Sequence, residues 1–267
     1  MHLTHIKFKP TKRHKLNFHP KELDDTKMSK ESKDFAEKII SSKKTVDQFD
    51  QDLIIMFENE VIYGFDLYNG KDKIIIPEIN PVTIFYSNAI MSYRNLILKK
   101  DSLLNESPTL NNFNIPIDPN KFGHFFQLAS NCIINLQSAL ESFANRSIPE
   151  DYEFKNKDGK KFKPSLGHKL NKTVPELNQN YFKRVYPKEN NIIRRLIGLR
   201  NEIIHLKPAE EKTNTKYKEV YRRLIGFEFL GAIRAVKKFI NFYESNLIEE
   251  CTCGKEYFYD FSIVDKG

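Results

Sequence analysis

The fold of this 267-residue chain is decided by one long amphipathic stretch, NKFGHFFQLASNCIINLQSALESFANR, at residues 120–146. Its apolar side chains recur at steps of three and four residues, which places them on one face of a helix. The residues that share this face are Phe125, Leu128, Ala129, Cys132, Leu136, Ala139, Leu140 and Phe143. Pro149 follows just past the end of the pattern. The stretch therefore predicts a helix of about seven turns with one side in a core.

The segments on both sides of this helix also favour helix, so we predict a mainly α fold. Apolar periodicity and helix-start signals predict further helices at residues 26–60, 81–104, 166–177, 189–207 and 215–249. Strand signals are few and short. They are the run at residues 74–76 after the turn dipeptide Asn69 and Gly70, a hairpin centred on Asp158 and Gly159, and the terminal EYFYDFSIV.

A segment rich in Asn, Pro and Ser, residues 105–120, is the candidate domain boundary. We therefore expect an N-terminal region at residues 1–115, with a basic lead-in and a helical extension. A helical domain at residues 116–250 follows, with an inserted hairpin near residues 152–163. Residues 251–267 are expected to form a strand-like tail.

The charge balance is compatible with a polyanionic partner such as nucleic acid, with a net charge of +8 and a pI of about 9.1. Lysine supplies most of the surplus, so the charge permits this reading without requiring it. The three cysteines do not make a disulfide framework. The N-terminus lacks the apolar run of a signal peptide, and no stretch approaches the length of a spanning helix. We expect a cytoplasmic protein with no membrane contact.

The chemistry is concentrated in GLRNEIIHLKP at residues 198–208. Helical spacing puts Asn201 and His205 on one face, a single turn apart, and Arg200 about 140° around from His205. His205 lies near the expected C-terminus of the helix, where a protonated imidazole is favoured. A simpler interpretation has Arg200 pairing with a surface carboxylate and His205 capping the helix.

RNEIIH at residues 200–205 resembles the R-N-x-x-x-H signature of HEPN proteins, an all-α superfamily whose catalytic members are metal-independent ribonucleases. NLQSALESFANRSI at residues 135–148 is similar to the HEPN pattern of an aliphatic helix that carries an inward Glu and ends in Asn. The resemblance covers residues 120–246 and implies a HEPN-like helical bundle for that part of the chain.

The resemblance also implies a homodimer in which the two motifs meet across a cleft. Arg200 and His205 would be catalytic, Asn201 would support them, and Glu141 would pair with Arg200. Histidine titrates near neutral pH and can serve as base or acid, while the planar fork of arginine suits phosphate oxygens. An ordinary solvated glutamate remains an equal alternative for Glu141.

Other candidate sites are weaker. Tyr181, Lys183 and Arg184 could stack on bases and hold phosphates of RNA, although such a run is more often a packed connection. CTCG at residues 251–254 does not supply the four ligands of structural zinc, and Cys132 belongs to the helix pattern. The histidines near the N-terminus have irregular spacing and no thiol or carboxylate beside them. The sequence predicts neither a metal site nor a cofactor.

Three functions are compatible with these features. The first is a metal-independent endoribonuclease, a toxin or phage-defence effector with a neutralising partner such as an antitoxin. The second is a non-catalytic HEPN module that binds nucleotide or RNA or acts through a protein partner. The third is a helical interaction protein in which RNEIIH is coincidental. The presence of all three motif residues favours the first.

Overall fold

The structure, a computed structural model, describes residues 5–15, 29–57, 60–112, 114–206 and 217–252. The chain divides into two compact units. One is Phe8–Pro81, and the other combines the described residues of Met1–Lys7 and Val82–Gly267. The division lies near residue 81, whereas the sequence pattern placed it near residue 115.

The smaller unit is built on an antiparallel sheet. Its described strands are β1 (Arg13–Lys15), β2 (Leu53–Phe57), β3 (Glu60–Tyr68) and β4 (Lys73–Pro77). The long strand β3 pairs with each of the other three. The turn between β3 and β4 depends on Gly70, whose φ of 98° favours glycine, and on Asn69, whose Oδ1 accepts hydrogen bonds from two following backbone amides.

The prediction of helix across residues 26–60 is wrong for most of that range. Helix α1 spans only Lys30–Ser41, a 3₁₀ turn follows at Val46–Phe49, and β2 lies at Leu53–Phe57. The run LIIMF of β2 is short and apolar, and periodicity alone does not separate such a run from a helix. Pairing with β3 decides in favour of strand. The described residues of the smaller unit therefore form a sheet with one α-helix, and the strand expected at residues 74–76 is confirmed as β4.

A buried carboxylate fixes the 3₁₀ turn onto this sheet. Asp66 on β3 is 5% exposed, and its Oδ1 accepts a hydrogen bond of 2.8 Å from the amide of Val46. Its Oδ2 lies 3.3 Å from Nζ of Lys73 on β4. The neighbouring lysine supplies the opposite charge that a buried carboxylate requires.

The larger unit is helical. Its helices are α2 (Pro81–Asn105), α3 (Pro119–Ser147), α4 (Leu166–His168), α5 (Val174–Asn178), α6 (Phe182–Val185), α7 (Pro187–Ile204), α8 (Tyr217–Ile225) and α9 (Phe229–Tyr243). A π-helical turn, Lys169–Thr173, joins α4 to α5. The mainly α prediction is confirmed. No helix in the described ranges has the length and apolar character needed to cross a membrane.

Helix α3 forms the centre of this unit, as its periodicity predicts. Asp118 caps it by accepting a hydrogen bond from the amide of Asn120, and Pro119 occupies the first turn. Its apolar face is buried except for the half-buried Leu128, and the helix packs against α7 and α9. At its C-terminal end, Phe143 meets Phe239 edge to face at 6.1 Å. The core of the chain therefore lies between α3, α7 and α9.

Helix α2 belongs to the helical unit because its Tyr86 is buried there. The Tyr86 hydroxyl donates a hydrogen bond of 3.0 Å to the carbonyl of Ile233 on α9, and only 1% of the residue is exposed. Burial raises the pKa of this hydroxyl, so it stays a neutral donor. The segment at residues 105–120 is thus a connection within the helical unit.

Two further predictions differ from the structure. The helix expected at residues 215–249 is interrupted at residues 226–228, where the amide of Phe227 bonds to the carbonyl of Leu224. Phe227 is 6% exposed, and its burial favours the break over a continuous helix. The expected hairpin is a tight turn with a single bridge, Lys155 to Lys161. The strand expected in the tail falls on residues 253–267, outside the described residues.

Candidate active site

Helix α7 carries the RNEIIH motif. Pro187 opens the helix, where a missing amide proton costs nothing, and Asn190, Ile193, Leu196, Leu199 and Ile203 form its buried face. The helix ends at Ile204, and His205 is its C-cap, with its amide donating a 3.1 Å hydrogen bond to the carbonyl of Asn201. The helix end expected at or before residue 207 is confirmed.

Asn201 and His205 lie on the outer side of α7, one turn apart, and both are exposed. The imidazole of His205 is therefore open to a ligand. His205 also lies at the C-terminal end of the helix, where the last backbone carbonyls are without partners inside the helix.

Arg200 joins this outer side from the margin of the core. Its Nε is buried and has no hydrogen-bond partner among the described residues. Its Nη1 points toward Asn201 and lies 3.4 Å from Oδ1, a long hydrogen bond. The side chain is thus held along the helix by its buried part, and its terminal nitrogens reach the same side as Asn201. Such a fork suits an anionic oxygen.

Glu141 is not brought to Arg200. It is exposed on α3, and in the described ranges of the chain no ion pair joins it to Arg200. The inward polar residue of α3 is Gln137, which is 5% exposed and has an Oε1 without a partner in the part of the chain that the structure describes. Sequence reasoning missed Gln137. Its position between the buried residues Ile133 and Leu140, at helical spacing, was the available signal.

Tyr181, Lys183 and Arg184 are exposed on and just before α6, and the Arg184 guanidinium lies 4.4 Å from the centre of the Tyr181 ring. They precede the N-terminus of α7, whereas His205 ends it. The 18 residues of α7 span about 27 Å at 1.5 Å per residue. Within one chain, these residues and the motif therefore occupy opposite ends of the helix.

A groove of about 400 Å³ adjoins α7 on another side, and Arg200, Asn201 and His205 are not among the residues that line it. It is lined by Arg195, Gly198, Leu199, Glu202, Arg223, Gly226 and Phe227. Both guanidinium nitrogens of Arg223 pair with the Glu202 carboxylate across it, and the Nη1–Oε1 distance is 2.9 Å. This pair fixes α8 to the motif helix. The Glu202 carboxylate in this groove is thus engaged by Arg223, and Asn201 and His205 are not among the residues that line it.

No group of three His, Cys, Asp or Glu side chains is arranged as metal ligands within the residues that the structure describes. Cys132 is buried in α3, and Cys251 is half-buried. Cys253 lies outside the described residues. Metal-independent chemistry at this site stays a prediction from the sequence.

Comparison with known proteins identifies the helical unit. Residues 126–231 match the family model described as Apea-like HEPN. The matched span runs from α3 into α9 and includes the whole RNEIIH motif. No curated protein and no solved structure matches the chain significantly. The domain that these residues form therefore belongs to the HEPN superfamily.

Proposed function

We propose that this protein is a metal-independent endoribonuclease of the HEPN type. The observations that carry the proposal are the exposure of Asn201 and His205, one turn apart near the end of one helix, and the position of Nη1 of Arg200, 3.4 Å from Oδ1 of Asn201, inside the matched span. A buried histidine or a missing motif residue would have removed the chemistry.

Metal-independent cleavage of RNA requires a base for the 2′-hydroxyl proton, a cation for the charge on the phosphorus, and an acid for the leaving 5′-oxygen. His205 supplies proton transfer, because imidazole titrates near neutral pH. Arg200 neutralises the charge that develops on the phosphoryl oxygens. Asn201 holds the guanidinium through its amide oxygen and keeps its own amide nitrogen as a donor.

One chain supplies one histidine in this motif, whereas the reaction needs both a base and an acid. We therefore propose a homodimer in which the exposed sides of two α7 helices face each other across a cleft. The second His205 would then protonate the leaving oxygen. The exposure of Asn201 and His205 supports this arrangement, because a partner has access to both.

The charge distribution supports RNA as the substrate. Residues 8–81 carry 13 lysines and arginines against 14 aspartates and glutamates, whereas the rest of the chain carries 30 against 21. The positive surplus thus belongs to the segments that form the helical unit, where it favours a polyanion. We propose a role as a toxin or phage-defence effector, with a cognate neutralising partner.

Purified protein incubated with total RNA tests this proposal. We expect wild type to shorten the RNA and the His205→Ala variant to leave it intact. His124→Ala is the matched control, because His124 is also an exposed histidine of the helical unit, and it should cleave like wild type. Equal cleavage by the His205→Ala variant, or no cleavage by any of the three proteins, would favour a non-catalytic HEPN module.

A further inference from the structure

Between α3 and α4, residues 154–162 form a turn whose shape is fixed by its own hydrogen bonds. The amide of Phe162 donates to the carbonyl of Phe154 at 3.0 Å. At the tip, Oδ1 of Asn156 accepts from the amides of Asp158 and Lys160 at 3.0 and 2.8 Å. Gly159 has a φ of 75°, which favours glycine. These hydrogen bonds therefore give the turn a defined conformation.

Aromatic rings anchor this turn to α4. Phe154 and Phe162 meet at 6.2 Å across the turn, and Phe162 meets His168 of α4 edge to face at 5.1 Å. Tyr152 extends the row, 5.0 Å from Phe154. Phe162 nevertheless keeps 37% of its surface exposed. Part of the Phe162 ring is thus open to the solvent.

Five lysines lie in the turn or next to it in the sequence, and we call them and the turn together the lysine turn: Lys155, Lys157, Lys160, Lys161 and Lys163. Glu153 pairs with Lys155 at 2.7 Å and also with Lys161. These contacts hold the pKa of the Glu153 carboxyl below its usual range. Three other exposed lysines form no ion pair with any described residue, namely Lys157, Lys160 and Lys163. The ammonium groups of these three lysines are therefore left for an external anion.

We infer that the lysine turn is a second RNA contact, which binds phosphates through its lysines and a base through Phe162, apart from the cleavage residues. The inference rests on the proposed function for the identity of the polyanion. Lysine binds phosphate as a point charge, and an exposed aromatic ring between cations is the arrangement on which unpaired bases stack.

The lysine turn lies at the end of the helical unit where α7 begins. Just after the turn, Nζ of Lys169 donates a 2.7 Å hydrogen bond to Oδ1 of Asn145, near the end of α3. At the same end, the hydroxyl of Tyr243 accepts from the amide of Phe182 and its ring lies 6.3 Å from that of Phe143. His205 lies at the other end of α7, and this helix is about 27 Å long. Only an RNA longer than a few nucleotides can reach both places on one chain.

The test compares two triple variants that remove the same charge. One changes Lys157, Lys160 and Lys163 of the lysine turn to Ala, and its control changes Lys30, Lys33 and Lys38 of α1, which are also exposed. Both carry His205→Ala so that the RNA stays whole during binding. Fluorescence anisotropy with a labelled single-stranded RNA of about 30 nucleotides is measured over a range of salt concentrations.

We expect the lysine-turn variant to bind roughly tenfold or more weakly, and the slope of log K against log salt to fall by about 2, for three lost phosphate contacts on a single strand. The α1 variant should keep the affinity and slope of its parent. Phe162→Ala alone should weaken binding by about tenfold without changing the slope, because stacking is not ionic. Equal binding by the two triple variants, or no RNA binding by the parent, overturns the inference.

Cleavage assays with the same lysine changes and an intact His205 separate this inference from the proposed function. The lysine-turn variant should raise KM for the long RNA and leave cleavage of a trinucleotide unchanged, because a trinucleotide does not span the distance. An equal loss for both substrates would mean that the turn acts on the cleavage site and would contradict a separate contact. If the wild-type protein cleaves no RNA while the lysine changes still lower the salt slope of RNA binding, the ribonuclease proposal is contradicted and the RNA contact at the lysine turn is not.

Discussion

Nη1 of Arg200 lies 3.4 Å from Oδ1 of Asn201, while Nε of the same arginine is buried without a partner among the described residues. Arg200 and Asn201 are thus in contact with each other in the absence of substrate. The buried part of Arg200 limits its rotamers, and Asn201 orients its end. A preorganised guanidinium of this kind stabilises charge in a transition state without further reorganisation.

This geometry predicts that the arginine matters for rate more than for binding. Arg200→Ala should lower the rate of RNA cleavage by roughly a hundredfold or more, on the scale of other preorganised charge contacts. The Kd for RNA should change little, because many other cations bind the backbone. Arg200→Lys should rescue only a small part of the rate, since a lysine lacks the planar fork. Single-turnover cleavage and anisotropy measure the two quantities, and an equal loss in both would contradict a transition-state role.

Expression in cells should show the same dependence on the histidine. A ribonuclease that acts on host RNA slows growth, so wild type should arrest growth and His205→Ala should relieve the arrest. The exposed position of His205 means that the change removes no core packing. Growth curves at matched protein levels, with His124→Ala as the control, measure the effect. Persistent toxicity of the His205→Ala protein would point to partner binding or aggregation.

The placement of α2 in the helical unit predicts a stability effect at Tyr86. Tyr86→Phe removes the buried hydrogen bond to the Ile233 carbonyl and should lower the free energy of unfolding by about 1 kcal/mol. Tyr181→Phe removes a hydroxyl from an exposed side chain and should have almost no effect. Urea denaturation of both variants measures the difference. Equal stability would contradict the contact between α2 and α9.

The burial of Cys132 predicts how the rate at which its thiol is alkylated depends on pH. Burial raises the pKa of this thiol, so the neutral form is retained and the reactive thiolate does not form. Alkylation of Cys132 in the folded protein should stay slow from about pH 7 to pH 9, the range in which an ordinary thiol with a pKa of about 8.5 becomes reactive. The half-buried Cys251 should be alkylated faster than Cys132, because the reagent has access to it. Mass spectrometry after timed alkylation measures both sites, and rapid modification of Cys132 would show that α3 opens.

The sequence was most informative where periodicity and capping agreed. The helix at residues 120–146 is α3 almost to the residue, because its apolar stripe, Asp118 and Pro119 all favour the same element. The helix predicted at residues 189–207 likewise corresponds to α7, which spans Pro187–Ile204. Residues 53–57 were missed because a short apolar run takes its conformation from its partner strand, which local sequence does not reveal.

For the candidate site too, features set by local sequence were predicted and features set by helix packing were not. RNEIIH was visible as a motif, and helical spacing correctly placed Asn201 and His205 together on the outer side of α7. The sequence did not reveal whether Glu141 reaches Arg200, since contacts between two helices depend on their packing. The family resemblance implied that Glu141 points inward, yet Glu141 is exposed and the buried residue one turn before it is Gln137. Residue type alone does not decide between two polar residues one turn apart.

The most direct test of the central claim is the chemistry of the cleaved ends. Purified protein is incubated with RNA in EDTA or in magnesium, alongside the same RNA with a 2′-deoxy group at the cleaved position. Attack by the 2′-hydroxyl predicts equal cleavage in both buffers, 2′,3′-cyclic phosphate and 5′-hydroxyl products, and no cleavage of the 2′-deoxy substrate. Cleavage that requires a divalent ion, or that leaves 5′-phosphates, would contradict the assignment of this reaction to Arg200 and His205.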